Sequence, residues 1–348
     1  MYWYYKYPLI IILVAILFGL GVYAWRSSVS AYFPGKKAPE ATETAPVVKT
    51  PSARLPELPA PALKSVPKAP ASSSSTSSGS GSQASAHDSA QSSAVLPKNL
   101  QEALTQAKEA LKNDNPKQAR ELAYAMLRDE YCQEYDAAWY ELASVINEAN
   151  SIFMNGKAPC PEKDTYIIKS GDNLTKIAFR NNTTVQALQR LNGLSPTNST
   201  VHPGQALQFI KGTWSIKVSK SQFLLQLLLD GRLYRIYRVS TGRQDRTPAC
   251  SFIINQKLMN PAWTYNGKSI PFGDPQNILG TRWIGLRPID EDKLGYTGYG
   301  IHGTTEPDKI GTAASLGCVR MLNEEVEELF DFIPSSYANL NIIVTIVE

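Results

Sequence analysis

An unbroken apolar run, PLIIILVAILFGLGVYAW, fills residues 8 to 25. It is about as long as the roughly 20 residues that a helix needs to cross a bilayer. Aromatics at 2–5 and at Tyr23 and Trp25 suit the two membrane interfaces. Residues 1–32 are therefore expected to form an uncleaved membrane anchor, with a leader cut after Val29-Ser30-Ala31 as the alternative. Lys6 precedes the run while Arg26, Lys36 and Lys37 follow it, so charge leaves the orientation open. Residues 33–96 then lose all hydrophobic period. They pass from PSARLPELPAPALKSVPKAP to a serine-rich tract and are expected to be a disordered linker. A coil of that length reaches about 40–50 Å on average, enough to hold a working end away from a membrane.

A period near 3.6 appears at residues 97–160. Leu100, Leu104, Ala107 and Leu111 share one face, with Asn99 and Glu102 as a candidate capping pair. Asn115-Pro116 opens a second helix carrying Ala119, Leu122, Met126 and Leu127. A third carries Trp139, Leu142, Ile146 and Phe153. The first pair resembles one tetratricopeptide-type unit, too few for a solenoid. The segment is expected to be an all-α spacer packed on its neighbour, with a surface for a protein partner as the alternative.

The period changes again at 164–210. A strand at Tyr166–Lys169 breaks at Ser170-Gly171, and Asp172 is the expected cap of a helix with Leu174, Ile177 and Ala178 on one face. Thr183 or Thr184 caps a second helix with Val185, Leu188 and Leu191, which Asn192-Gly193 ends, and PGQALQF closes with a strand. The order is β-α-α-β. The stretches YIIKSGDNL, LQRLNGL and PGQAL closely resemble the LysM module, with Ser170 standing where Pro or Glu is more usual. The resemblance implies that N-acetylglucosamine units lie against loops at Gly171, Asp172, Asn173 and Leu174 and at Asn192, Gly193 and Leu194. His202 reads as a turn residue.

From residue 214 to 348 the pattern is mostly β. WSIKV and FLLQLLLDGRLYRIYRVSTG give strands, with Asp230-Gly231 as a two-residue hairpin turn. More strands are expected at 251–255, at 282–286 and in GYGIHG, followed by a helix capped by Asn323 with Val326, Leu329, Phe330 and Ile333 on one face. NLNIIVTIVE makes a buried final strand. A lid formed by the 255–300 segment, with Trp263, Tyr265 and Tyr296, is a further possibility.

With 348 residues, 43% of them hydrophobic, the chain has room for two or three domains. The net charge of +4 is scattered, with no arginine-rich block or aromatic stripe of the kind nucleic-acid binding needs. Three histidines and four cysteines lie too far apart for zinc spacing, so no metal or cofactor is expected.

The chemistry concentrates at YGIHGTTEPDKIGTAASLGCVRM, residues 299–321, where Cys318 follows His302 by sixteen residues. Nucleophilic catalysis by cysteine needs a base for the thiol and amide donors for the oxyanion. His302 is the only imidazole after residue 202, and Gly303 and Gly317 permit tight turns from which the Gly317 and Cys318 amides can face an oxyanion. Spacing alone leaves a packed cysteine and a loop histidine equally open. The flanking pattern H-G-T and S-x-G-C-V-R-M, with S-T-G at 240–242, T-P-x-x-x-F at 247–252 and NILGTRWI at 277–284, resembles the L,D-transpeptidase catalytic domain of the YkuD type. The resemblance implies Cys318 as nucleophile, His302 as base and the Gly303 carbonyl as the group that orients the imidazole. It places Arg320, Ser315, Gly317 and Tyr299 at the substrate.

The implied reaction is cross-linking of peptidoglycan tetrapeptide stems through a cysteine acyl-enzyme. An L,D-carboxypeptidase using water, or a non-catalytic peptidoglycan-binding scaffold, is the alternative. Two positions depart from the family: Leu316 replaces a second histidine beside the nucleophile, and Cys250 stands where glycine is usual. With Cys318 kept reduced, Cys132–Cys160 is the most economical disulfide, and Cys250 raises the possibility of a redox-sensitive link to Cys318. The implied partners are glycan strands, stem peptides and, through the anchor, the cytoplasmic membrane, with the C-terminal domains on the periplasmic side.

Overall fold

A computed structural model describes residues 97–348 apart from 157, 198–199 and 335–340. The expected anchor at 1–32, the linker at 33–96 and His87 lie outside the described residues. Among those described, no helix is long and apolar enough to cross a membrane.

Among the described residues three helices come first: α1 (Lys98–Lys112), α2 (Pro116–Met126) and α3 (Ala137–Met154). The expected cap of the first is not used. Pro97 occupies the N-cap and no side chain caps the helix, because Asn99 already lies within its first turn. Asn115 caps α2 by accepting from the Gln118 amide, with Pro116 in the first turn, and Asp136 caps α3 through the Trp139 amide. Ala107, Ala119, Ala123, Trp139, Leu142 and Ile146 are buried together. That apolar cluster extends into Leu224 and Leu233, so the helices are fused to the neighbouring sheet. The seam is polar as well: Tyr124 Oη donates to the Leu233 carbonyl at 2.6 Å and Asn150 Nδ2 to that of Tyr234 at 2.8 Å. The fully buried Arg120 reaches Asn150 and Glu162.

The β-α-α-β unit follows, with β1 (Lys163–Ile167), α4 (Leu174–Arg180), α5 (Val185–Asn192) and β2 (Ala206–Ile210). The two strands pair antiparallel, Tyr166 facing Leu207. Ile168, Leu174, Ile177, Leu188 and Leu207 form its small core. Asp172 does not cap α4. Asn173 does, accepting from the Lys176 amide, and Thr184 caps α5. Gly193 ends α5 with φ 64°, the left-handed conformation that glycine adopts without strain. His202 sits in an exposed turn, its carbonyl accepting from Gln205.

The remaining strands are β3 (Trp214–Ser219), β4 (Leu224–Leu229), β5 (Arg232–Arg238), β6 (Thr241–Gly242), β7 (Ser251–Met259), β8 (Trp263–Tyr265), β9 (Lys268–Ile270), β10 (Arg282–Pro288), β11 (Tyr299–His302), β12 (Ala313–Ser315), β13 (Val319–Arg320) and β14 (Ile343–Val347). Eight of them form one mixed sheet in the order β13-β11-β10-β7-β14-β3-β4-β5. Asp230 and Gly231, both at positive φ, make the two-residue turn from β4 to β5. One α-helix among the described residues of this part, α6 (Asn323–Phe332), buries Val326, Leu329, Phe330 and Phe332 against the sheet. Ala187 and Leu191 of α5 join the same core, and Arg190 of α5 pairs with Asp331 of α6 at 2.7 Å. The module is thus held on the β-rich half by both an apolar and an ionic contact.

All four cysteines are free. The expected Cys132–Cys160 bridge is not formed, nor is a Cys250–Cys318 link. Cys132 packs beside the α1–α3 cluster, whereas Cys160 packs with Ala149 and Phe153.

Candidate active site

His302 ends β11, and Cys318 immediately precedes β13, the parallel neighbour of β11. The register sets Ile301 beside Val319 and His302 beside Arg320, so sheet pairing alone brings the two distant motifs together. Both side chains line one cavity of about 560 Å³, with Tyr299, Ser315, Gly317 and Arg320 also in its wall.

The imidazole of His302 is almost fully buried, and its Nδ1 meets the Gly303 carbonyl at 2.6 Å. A carbonyl can only accept, so Nδ1 carries the proton and Nε2 is the basic nitrogen. Burial pulls the pKa of His302 down to about 4, against the opposing pull of the Gly303 carbonyl, and the nearby Arg320 charge lowers it further. Trp283 faces His302 across the β10–β11 pair and stacks on it, ring centres 5.9 Å apart and 26° from parallel. Gly300 is needed beneath that indole, since a Cβ there would lie 2.6 Å from the ring.

Cys318 keeps contact with the cavity, but protein surrounds most of the side chain. Desolvation raises its thiol to about 11, with the Gly300 backbone and Arg320 pulling the other way. Its Sγ lies 3.5 Å from the Gly298 carbonyl. Thiol and imidazole are therefore both neutral at ordinary pH.

A net of hydrogen bonds shapes the loop around the sulfur. Ser315 Oγ accepts from the Gly317 amide at 3.0 Å and donates to the Cys318 carbonyl at 2.6 Å. Thr247 Oγ1 donates to the Gly317 carbonyl at 2.8 Å and accepts from the Gly242 amide. Gly317 sits at φ 147°, and a Cβ there would press on Tyr299 and the Arg246 carbonyl. Of the two expected oxyanion donors, the Gly317 amide is thus already bonded to Ser315. Arg320 is buried and pairs with Glu306 at 3.0 Å, while its backbone exchanges two bonds with Ser240. That anchors the β13 side of the loop. Leu316 is 46% exposed at the cavity wall.

Asn323 was expected as a helix cap, but Leu322 holds that position without a side-chain bond. The Asn323 amide instead clamps the loop after the histidine. Its Oδ1 accepts from the Thr281 and Thr304 amides, at 3.3 and 3.2 Å, and its Nδ2 donates to the Thr304 carbonyl at 3.0 Å. It lies so close that a Cβ on Gly303 would come within 2.1 Å of Oδ1. The residue orienting His302 is thus itself oriented by the first residue of α6. The sequence pattern shows neither this role nor that of Trp283; Trp283 lies within the NILGTRWI stretch, but only the strand register sets it opposite His302. The hairpin β8–β9 borders the cavity through Trp263 and Tyr265, stacked at 4.9 Å, whereas Tyr296 packs on Tyr299 outside it.

The residues expected to face sugar in the β-α-α-β unit lie in its two loops, and most of their polar side chains make internal bonds. Asp172 accepts from Tyr166 Oη, the Lys169 amide and Arg180. Asn192 makes three bonds to the Leu188 carbonyl and the Gln208 backbone. Leu174 is buried, and Leu194 packs against the module core. Gly171 and Gly193 have open space above them.

Comparison with known proteins finds two family matches. Residues 213–346 match the model of the L,D-transpeptidase catalytic domain and residues 166–209 that of the LysM domain. The chain is 42% identical over 120 residues to a Bacillus subtilis (strain 168) protein provisionally named L,D-transpeptidase YqjB, covering 34% of this chain and 64% of that protein. It is 32% identical over 177 residues to a second protein of the same organism, provisionally named L,D-transpeptidase YkuD, covering 49% of this chain and 94% of the relative. A solved L,D-transpeptidase from Mycobacterium smegmatis matches at 15% identity and a TM-score of 0.31, over 42% of this chain and 64% of that one, a likeness too slight to carry an argument.

Proposed function

We propose, from the premise that this chain belongs to the L,D-transpeptidase family and carries a LysM domain ahead of its catalytic domain, that it cross-links peptidoglycan stems through an acyl-enzyme on Cys318. The observation that carries this is the shared cavity, with His302 held in the Nδ1–H tautomer by Gly303. Nε2 takes the Cys318 proton as the sulfur attacks the carbonyl of the third residue of a donor tetrapeptide. The Cys318 amide faces the developing oxyanion. The carbon–nitrogen bond to the terminal D-alanine breaks, the leaving amine takes the proton back from Nε2, and a thioester remains. An amine of a neighbouring stem then attacks the thioester, transfers its proton through His302 and frees the thiol.

Two neutral groups suit this course, because the proton moves as the bond forms and no thiolate is stored beforehand. Arg320, Ser315, Gly317 and Tyr299 shape the substrate side of the cavity. The module supports a cell-wall-associated protein working outside the cytoplasm, and residues 8–25 are the proposed tether to the membrane. The test is incubation of the full-length chain with tetrapeptide muropeptides and mass analysis of products. Cross-linked dimers establish transpeptidation, and loss of D-alanine alone establishes a carboxypeptidase. Either product surviving in Cys318→Ala removes Cys318 as the nucleophile, and no product from the unmodified chain leaves a scaffold.

A further inference from the structure

A second and larger cavity, about 780 Å³, lies between the LysM module and the catalytic sheet, within the range of roughly 300–1,000 Å³ typical of ligand sites. One wall is α4 and the start of α5, with Phe179 and Gln186; the other is β7, with Asn255, Gln256 and Leu258. Gln256 and Leu258 also line the Cys318 cavity, so the two spaces share a wall. The relative placement of the walls is fixed by the Arg190–Asp331 ion pair, by Thr184 Oγ1 donating to the Asp331 carbonyl, and by Ala187 and Leu191 in the sheet core.

The chemistry of the lining is specific. Phe179 leaves 54% of its surface exposed, an apolar ring with no aromatic partner among the described residues. The strand register shifts at Asn255, where Gly285 faces Gln256 and Leu286 faces Ile254. Such a bulge re-aims side chains and lets neighbours share a face. Asn255 and Gln256 are accordingly both exposed on the groove. Among the described residues the side-chain amides of Asn255, Gln256 and Gln186 have no protein hydrogen-bond partner, whereas those of Asn173 and Asn192 are committed to backbone. Uncommitted amides that both donate and accept, set around an exposed aromatic face, match a pyranose ring with its apolar C–H face, hydroxyls and acetamido groups.

We infer that this interdomain groove binds the N-acetylated glycan strand from which a stem peptide enters the Cys318 cavity. The sugar ring packs on Phe179, while Gln186, Asn255 and Gln256 bond its hydroxyl and acetamido groups. Gln256, at the shared wall, marks where the strand hands its stem to the catalytic side. The inference rests on the peptidoglycan reading above, and binding without turnover separates the two.

The test is calorimetric titration of the full-length chain with a β-1,4-linked N-acetylglucosamine hexamer, which carries no stem. Phe179→Ala and the Asn255→Ala/Gln256→Ala double variant, all at exposed positions, are each expected to weaken binding at least fivefold. No measurable binding by the unmodified chain overturns the inference, as does less than fivefold weakening in both variants, which returns the glycan to the 171–174 and 192–194 loops. Cys318→Ala is expected to bind as the unmodified chain does. A failure of acyl transfer alone, with hexamer binding still dependent on Phe179, removes the catalytic reading and leaves the groove standing.

Discussion

The LysM module and the catalytic loop both carry polar residues where a ligand is expected, and the two regions differ in which residues hold the loops. In the module, Asp172, Asn173 and Asn192 tie turns and helix ends to backbone. A unit under fifty residues buries little apolar surface, so side-chain hydrogen bonds must fix its loops. In the catalytic half an eight-stranded sheet holds the framework. There Ser315, Thr247 and Asn323 fix the loops while Cys318 and His302 keep their place on the cavity wall. Polar type in a short loop therefore does not distinguish a ligand-facing group from a structural tie; what distinguishes them is whether another element already supplies the ties.

The comparison breaks most sharply at the sulfur. Cys318→Ala is expected to lower acyl transfer at least about a thousandfold with the melting temperature little changed, read by product mass and thermal unfolding. Asn323→Ala comes next. Without its clamp the Gly303 carbonyl loses its fixed position, and kcat is expected to fall about ten- to a hundredfold, with a smaller change in KM. Asn323→Asp keeps the acceptor but not the donor, and is expected to lie between the unmodified chain and Asn323→Ala. A fall confined to stability, with kcat per folded molecule intact, would show that Asn323 is a tie of the module's kind.

On the module side the effect belongs in stability. Asn192→Ala removes three bonds and is expected to cost about 1–3 kcal/mol in chemical unfolding, without a direct effect on turnover of stem peptides.

The pH response follows from His302. Its folded pKa, about 4, lies below the unfolded value near 6.5. Between these values the unfolded chain binds the extra proton, so this group's stabilisation is present above pH 6.5 and is lost as pH falls through 4. The acid limb of kcat/KM for the free enzyme is expected near pH 4, and a limb near 6.5 would show that the imidazole is not buried in solution. Cys318 acts oppositely. With its pKa raised to about 11, its stabilisation is complete below pH 9 and is lost as pH rises towards 11. The smallest change is expected from Leu316→His: the side chain is half exposed and makes no bond that holds the loop, so turnover should shift by only a few fold.

Periodicity in the sequence carried much of this architecture. The switch from helical spacing to β-α-α-β and then to alternating strands was legible, because burial imposes its period on each element directly. So were the Asp230-Gly231 turn, whose positive φ values demand those residue types, and the His302–Cys318 motif. The caps were less legible, since Asn99, Asp172 and Asn323 are all good cap residues and only the path of the chain decides which position a helix begins at. The proposed disulfide failed for the same reason: economy of pairing says nothing about whether Cys132 and Cys160 enter one cluster.

By itself, then, the sequence determined which residues could do chemistry and, across the described residues, where helical spacing gives way to strands. The tertiary structure alone decided what those residues face. Parallel pairing of β11 with β13 set His302 and Cys318 in one cavity, the β7 bulge turned Asn255 and Gln256 to the interdomain groove, and α6 delivered Asn323 beneath Gly303. Each of these depends on contacts between residues far apart in the chain, which no local pattern encodes.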